Sequence, residues 1–174
     1  SRIAARPDIR LGIISPDGRD AMLEHAAQFK AAGIPFVFDP GQGLPMFDGA
    51  ELAGFIDQAD WVTVNDYEGR MLSERTGLSP AAISRRVQGL VVTLGGQGCE
   101  VWIGGEKTLV PPVKAQQVVD PTGCGDAWRG ALLHGLEQGW SLARCAELGN
   151  RIGALKIASR GPQNWHLEEV PSRT

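Results

Sequence analysis

The stretch Val118-Val119-Asp120-Pro121-Thr122-Gly123-Cys124-Gly125-Asp126-Ala127-Trp128 passes from a short apolar run into a long helical pattern, with small residues gathered at the junction. A helix N-terminus carries unpaired N–H donors and about half a positive charge. Such a junction suits phosphate, or the charge that builds on a phosphoryl group in transfer. Gly123, Cys124 and Gly125 are the candidate donors, because glycine lets backbone amides converge on one ligand. Asp126 falls in the first turn, where the dipole favours its ionised form and where a hydroxyl attacking phosphorus must give up its proton. Acids at helix starts are usually plain caps. A cap, however, needs one side-chain oxygen and no glycine pair, whereas two aspartates stand here six apart around Thr-Gly-Cys-Gly. The joint arrangement reads as an anion hole with Asp126 as its base.

The elements that must position this junction follow from periodicity. Leu11 to Ile14 is an apolar run, followed after Ser15-Pro16-Asp17-Gly18 by Ala21, Met22, His25, Ala26 and Phe29 at helical spacing up to Gly33. Val37-Phe38 is a second buried run, ending at Asp39-Pro40-Gly41-Gln42-Gly43, which reads as a turn. Leu52, Phe55, Ile56 and Ala59 mark the next helix, and Trp61 to Val64 a third strand. Helices are predicted over Asp66–Arg75 and Pro80–Val87, then a fourth strand over Leu90–Leu94. This alternation predicts an α/β fold with right-handed crossovers and a mainly parallel sheet. After Leu94 the rhythm changes: Cys99–Ile103 and Thr108–Val110 flank Gly104-Gly105-Glu106 and predict a β-hairpin. Two helices close the chain, from Gly123 to about Gln138 and, with Ser141 as N-cap, to about Ser159. No repeat or linker-like tract divides residues 1–174, which read as a single α/β domain.

Composition narrows the function classes. The 174 residues are 43% apolar and 21% charged, the balance of a globular domain. Seventeen Lys+Arg against twenty Asp+Glu leave a net charge of −3, so no basic face points to nucleic acid or an anionic membrane. Cys99, Cys124 and Cys145 are odd in number and lack CxxC spacing, which argues against a disulfide framework or a zinc site and fits a reducing cytoplasm. The sequence has no apolar leader pattern at Ser1 to Pro7 and no run near the ~20 apolar residues of a membrane span. GxxxxGK[ST], GxGxxG and GxSxG are absent, which removes the P-loop, dinucleotide-binding and serine-elbow readings.

Asp120-Pro121-Thr122-Gly123-Cys124-Gly125-Asp126 resembles the signature D-[TP]-T-G-[AC]-G-D of the PfkB family, the ribokinase-like carbohydrate and nucleoside kinases, at every required position. Two residues depart from its commonest form, Cys124 for Ala and Trp128 for Phe. The resemblance implies a three-layer, ribokinase-like sandwich. It assigns the γ-phosphate anion hole to Gly123, Cys124 and Gly125, and deprotonation of the acceptor hydroxyl to Asp126. Asn65-Asp66-Tyr67-Glu68 is similar to the family's N-x-x-E motif, which implies that Asn65 and Glu68 act on Mg²⁺ through water. Thr93-Leu94-Gly95-Gly96-Gln97-Gly98 resembles T-x-G-x-x-G, which places Thr93, Gly95 and Gly98 beside the nucleotide. Asn150 and Gly161 would border the adenine, and in several members a monovalent cation such as K⁺ sits where Asp120 and Thr122 would be its neighbours. Taken as bare residues, these three segments also suit a helix N-terminal acid, a strand-to-hairpin turn and a solvated helix position.

The resemblance aligns the chain with the later half or so of a typical member, its nucleotide-binding portion. The Gly-Gly substrate motif and lid strands have no counterpart in these residues, which implies a fold incomplete on its N-terminal side. Asp39-Pro40-Gly41-Gln42 stands where fructokinase-like members show D-x-N-x-R and looks more like bacterial adenosine-kinase-like members, with Asp39 and Gln42 as acceptor-loop residues. The expected activity is ATP-dependent phosphorylation of a hydroxymethyl group on a nucleoside, adenosine favoured, or on a sugar. The alternative is a non-catalytic nucleotide-binding or regulatory remnant. Small molecules are the expected partners, nucleic acid and membrane are not, and self-association stays open.

Overall fold

The computed structural model describes residues 3, 5, 6 and 8–167. Its elements run β1 (Gly12–Ile14), α1 (Arg19–Ala32), β2 (Phe36–Phe38), α2 (Gly49–Gln58), β3 (Trp61–Asn65), α3 (Asp66–Thr76), α4 (Pro80–Ser84), β4 (Gly89–Thr93), β5 (Cys99–Ile103), β6 (Glu106–Val110), α5 (Cys124–Glu137) and α6 (Leu142–Ile157). The six strands lie side by side in chain order. β1 to β4 are parallel, in register Ile13 to Val37, Val37 to Trp61 and Val62 to Leu90. The two residues between β5 and β6, Gly104 and Gly105, both have positive φ, the turn chemistry of an antiparallel return. The fold is thus mixed α/β with a mainly parallel sheet and a C-terminal-half hairpin, as the residue pattern predicts.

The chain forms two compact units, residues 1–94 with 100–108, and residues 95–99 with 109–174. In the first unit, β2 is buried on both faces and its Phe38 stacks on Phe55 of α2 at 4.5 Å between ring centroids. Phe47 meets the same Phe55 ring edge-on at 5.0 Å. Met22, Ala26 and Phe29 of α1 and Leu52 and Ile56 of α2 fill the rest, the i, i+3/i+4 stripes read from the sequence. In the second unit α5 packs on α6, with Ala131, Leu148 and Ile152 buried between Ala127, Trp140, Trp165 and Leu167. The helices approach closely because Gly135 faces Cys145 and Trp140, and Gly149 faces the Trp128 ring; a Cβ at either glycine would collide with those side chains.

Three local expectations differ from the structure. The helix predicted over Pro80–Val87 stops at Ser84. The Ser84 carbonyl, which would carry the next turn, instead accepts the Gly104 N–H at 3.2 Å, and the Ser84 hydroxyl accepts the Gly105 N–H at 2.9 Å. The last strand begins at Glu106, two residues earlier than expected, because the glycine pair alone completes the turn. Gly41–Met46 is a 3-10 helix rather than a simple turn, with Gly41 and Gly43 buried and Gly41 so close to Pro16 that a Cβ would lie 2.6 Å from its ring.

Phe55 anchors two ring contacts and is 1% exposed. Phe55→Ala is expected to cost about 3–5 kcal/mol, read as a lower urea midpoint at unchanged slope.

Candidate active site

The junction before α5 lies in the second unit, and its local fold starts from Asp120. Pro121 disfavours helical backbone at residue 120, which lies outside any helix or strand, and the amides of Val119 and Asp120 both donate to the Ile157 carbonyl at the end of α6, at 2.8 and 3.1 Å. The Asp120 carboxylate then reaches both ways: Oδ1 accepts the Thr122 N–H at 2.9 Å and Oδ2 accepts the Gly161 N–H at 2.8 Å. These bonds, the Gly161 amide first, bring the carboxyl down to about 2; the Thr122 hydroxyl and the Lys156 ammonium act in the same direction. Lys156 is 0% exposed, and its Nζ donates to the carbonyls of Asp120 at 2.8 Å and Ser159 at 3.2 Å.

From this knot the chain turns into α5 at Gly123, whose φ of +77° and ψ of 4° belong to the left-handed region. A Cβ there would lie 2.8 Å from the Cβ of Pro162, so both conformation and space require glycine. The Cys124 amide is used locally, donating to the Pro121 carbonyl at 3.1 Å, and the Gly123 carbonyl starts the helical ladder by accepting the Ala127 N–H at 3.0 Å. The amides of Gly123, Gly125 and Asp126 have no acceptor among the described residues. Asp126 is exposed in the first turn. The α5 start therefore offers open backbone donors, a left-handed glycine and one carboxylate side by side, a set that can receive an anion and a proton. The Cys124 thiol is half-buried and burial pushes its pKa up, so it behaves as a packing group rather than a nucleophile.

The other residues singled out from sequence hold the frame. Asn150 accepts the Trp128 indole N–H at 3.1 Å and donates to the carbonyls of Val110 and Pro111 at 3.4 and 2.9 Å, so its amide ties α5, α6 and the exit of β6 together. Gly98, at φ +89°, passes so close to the Val110 carbonyl that no side chain fits, and Gly95, at φ +58°, opens the 3-10 turn before it. In the first unit Asn65 and Glu68 form the capping box of α3: Asn65 Oδ1 accepts the Glu68 N–H and Glu68 Oε2 accepts the Asn65 N–H, both at 2.8 Å. Thr93 ends β4 opposite Asn65, its hydroxyl 3.5 Å from the Val64 carbonyl. Asp39 is 1% exposed, with its N–H on the Ile14 carbonyl, while Gln42 is exposed in the 3-10 helix. Among the described residues no group of three or more His, Cys, Asp or Glu is placed to hold a metal ion, and no helix is long and apolar enough to cross a membrane. Sequence reasoning missed Lys156 and Pro162, the two residues that back the junction from behind.

The depressed Asp120 carboxyl has a signed consequence for stability. Its folded value, about 2, lies below the ~3.9 of an unfolded aspartate, so its contribution is full above about pH 4 and disappears as pH falls toward 2. Acid titration of stability, followed by circular dichroism, should show Asp120→Asn less stable than wild type at pH 7 and losing less than wild type between pH 4 and 2.

Comparison with known proteins identifies the family and the fold. Residues 9–169 match the family described as pfkB family carbohydrate kinase. The chain is 31% identical over 135 residues to a nucleoside kinase of Methanocaldococcus jannaschii, covering 77% of this chain and 45% of that protein. It is 30% identical over 167 residues to fructokinase-1 of Oryza sativa subsp. japonica, covering 87% and 51%. Among solved structures, a Burkholderia thailandensis nucleoside kinase in complex with inosine superposes with a TM-score of 0.90 at 46% identity, over 93% of this chain and 53% of that one. The same enzyme in complex with ADP-inosine gives 0.90 at 45%. The chain thus spans about half the length of the relatives it matches. With the family match running over nearly all of these residues and the ribokinase-like fold shared with its solved relatives, the chain belongs to the pfkB family of carbohydrate kinases.

Proposed function

We propose that this chain is the nucleotide-binding, phosphate-transfer portion of an ATP-dependent kinase acting on the hydroxymethyl group of a nucleoside. The observation that carries the reading is the start of α5, where the open amides of Gly123 and Gly125 lie beside the exposed carboxylate of Asp126. Phosphoryl transfer depends mostly on positioning and on stabilising charge, which fixed backbone donors at a helix N-terminus supply. In this reading the acceptor oxygen forms its bond to the γ-phosphorus as the bond to the bridging oxygen breaks, and Asp126 takes the hydroxyl proton. A weak base suffices because the proton leaves late. The Cys124 amide closes the turn rather than binding the anion, so the anion contacts fall to Gly123 and Gly125.

Thr93, Gly95 and Gly98 are assigned to the nucleotide, with Gly98 held against the Val110 carbonyl where no side chain fits. Asn150 and Gly161 are assigned to shaping the adenine side rather than bonding it, since the side-chain amide of one and the backbone amide of the other are already engaged. Magnesium fits Asn65 and Glu68 through water: the capping box uses one Glu68 oxygen and leaves Oε1, and Mg²⁺ keeps most of its waters. When bound, the ion would neutralise phosphate charge.

A nucleoside acceptor is favoured by the nucleoside kinases among the similar proteins, and adenosine by the Asp39-Pro40-Gly41-Gln42 loop. Three free thiols suit the reducing cytoplasm.

The test incubates the longest natural polypeptide containing this chain with ATP, Mg²⁺ and pooled nucleosides and sugars, and follows product masses. A phosphorylated nucleoside is the expected product. Asp126→Asn should lower turnover by about 10²–10⁴-fold and leave ADP affinity within a few-fold of wild type. ATP binding without any product would favour a regulatory remnant, and equal activity in the variant would remove the base.

A further inference from the structure

Lys156 is the one wholly buried cation among the described residues, and the phosphate-transfer reading gives it no part. It lies in the last turn of α6, where lysines are common because the helix dipole favours them. Such lysines normally extend their ammonium into water; this one is 0% exposed. Burying an ammonium is costly unless the protein replaces its hydration. The replacement here is specific: two of its three donors are spent on the backbone carbonyls of Asp120 and Ser159, at 2.8 and 3.2 Å. Ser159 is also held by its own N–H on the Lys156 carbonyl at 3.0 Å.

The two carbonyls belong to the two strips of chain that meet behind the α5 start. One strip carries Asp120, Thr122 and Gly123; the other carries Ser159, Gly161 and Pro162. Without the ammonium, two carbonyl dipoles and the Asp120 carboxylate would face one another with no donor between the carbonyls. With it, the carboxylate remains available to accept the Thr122 and Gly161 amides, and Pro162 stays against Gly123. A neutral side chain that lacks the terminal nitrogen would leave both carbonyls orphaned and the place of the ammonium empty.

We propose that Lys156 is a positioning residue that serves as a resident monovalent cation: its ammonium, set between the Asp120 and Ser159 carbonyls, holds the α5 start in the shape that receives nucleotide phosphate. The proposal rests on the nucleotide reading above, and it makes an added K⁺ ion beside Asp120 redundant. Carbonyl oxygens are ligands that K⁺ accepts in place of water. The space left by a shortened or neutral side chain at position 156 is therefore one that a small cation can enter.

The experiment measures ADP affinity by calorimetry for wild type and Lys156→Met in the natural polypeptide, each in choline, K⁺ and methylammonium chloride. Thermal unfolding verifies that both are folded, and amide exchange is followed at Thr122 and Gly161. Wild type should bind equally in all three salts. The variant should bind about ten-fold or more weakly in choline, exchange the two amides faster, and regain affinity in K⁺ or methylammonium. If Lys156→Met does not fold, Lys156→Gln, which keeps a carbonyl-directed N–H without the charge, takes its place with the same expectation. A folded variant with wild-type affinity overturns the proposal, as does a weakened variant that no cation restores. Failure of wild type to bind ADP in any salt is a different result: it overturns the nucleotide reading, and the proposal falls with it.

Discussion

The Asp120 carboxylate is the interaction on which the rest of the second unit depends. Its two oxygens take amides from residues 2 and 41 positions away, so one side chain joins the loop before α5 to the segment after α6. Both ends require a backbone that only glycine adopts at low cost. Gly161 presents its N–H from φ +78°, and Gly123 turns at φ +77° directly against Pro162. Each glycine is fixed by geometry that the aspartate imposes. A carboxylate that accepts two short backbone bonds is held firmly in its ionised form, so the knot stays tied throughout the neutral range.

Helix starts show what this arrangement is for. Asp48 and Asn65 close the starts of α2 and α3 with capping boxes, and Ser79 and Ser141 cap α4 and α6 with a hydroxyl. α5 has no side-chain cap. α1 lacks one too, but Gly18 there lies at negative φ with its N–H on the Asp17 carboxylate. At α5 the residue that would cap is a left-handed glycine, and the carboxylate that would cap, Asp120, points back into the knot. A glycine in place of a side-chain cap costs only about a few tenths of a kcal/mol, which the packing of α5 on α6 readily offsets. The donors left open are those that an anion would use.

The elements were legible where periodicity and turn chemistry agreed. Of the stripe Ala21, Met22, His25, Ala26 and Phe29, the structure buries Met22, Ala26 and Phe29 and leaves His25 exposed, and the cap signal at Ser141, which depends on neighbours within a few residues, is realised. The early end of α4 was not legible, because the N–H groups that stop it come from the hairpin turn some twenty residues later. The same reason hid the work of Asn150, whose three partners lie 22 to 40 residues away. Lys156 did leave a sequence trace. Cys145, Leu148, Gly149 and Ile152 form the buried stripe of α6, and position 156 continues it at i+4 with a charge. A lysine on an apolar stripe is a signal that the chain must supply oxygen partners there.

Those partners also explain how the site divides its labour. An aspartate that bound the ammonium directly would have to share its oxygens between a cation and two amides. By giving the ammonium backbone carbonyls instead, the chain leaves the carboxylate to the amides, and each polar group keeps the partner that suits its geometry. The loop is then fixed by backbone atoms at most contact points. The backbone of this loop fixes which side chains it tolerates at Gly123 and Gly161, while the side chains of Cys124 and Trp128, which depart from the commonest residues of the motif, are spent on packing against α6 and leave the backbone donors undisturbed.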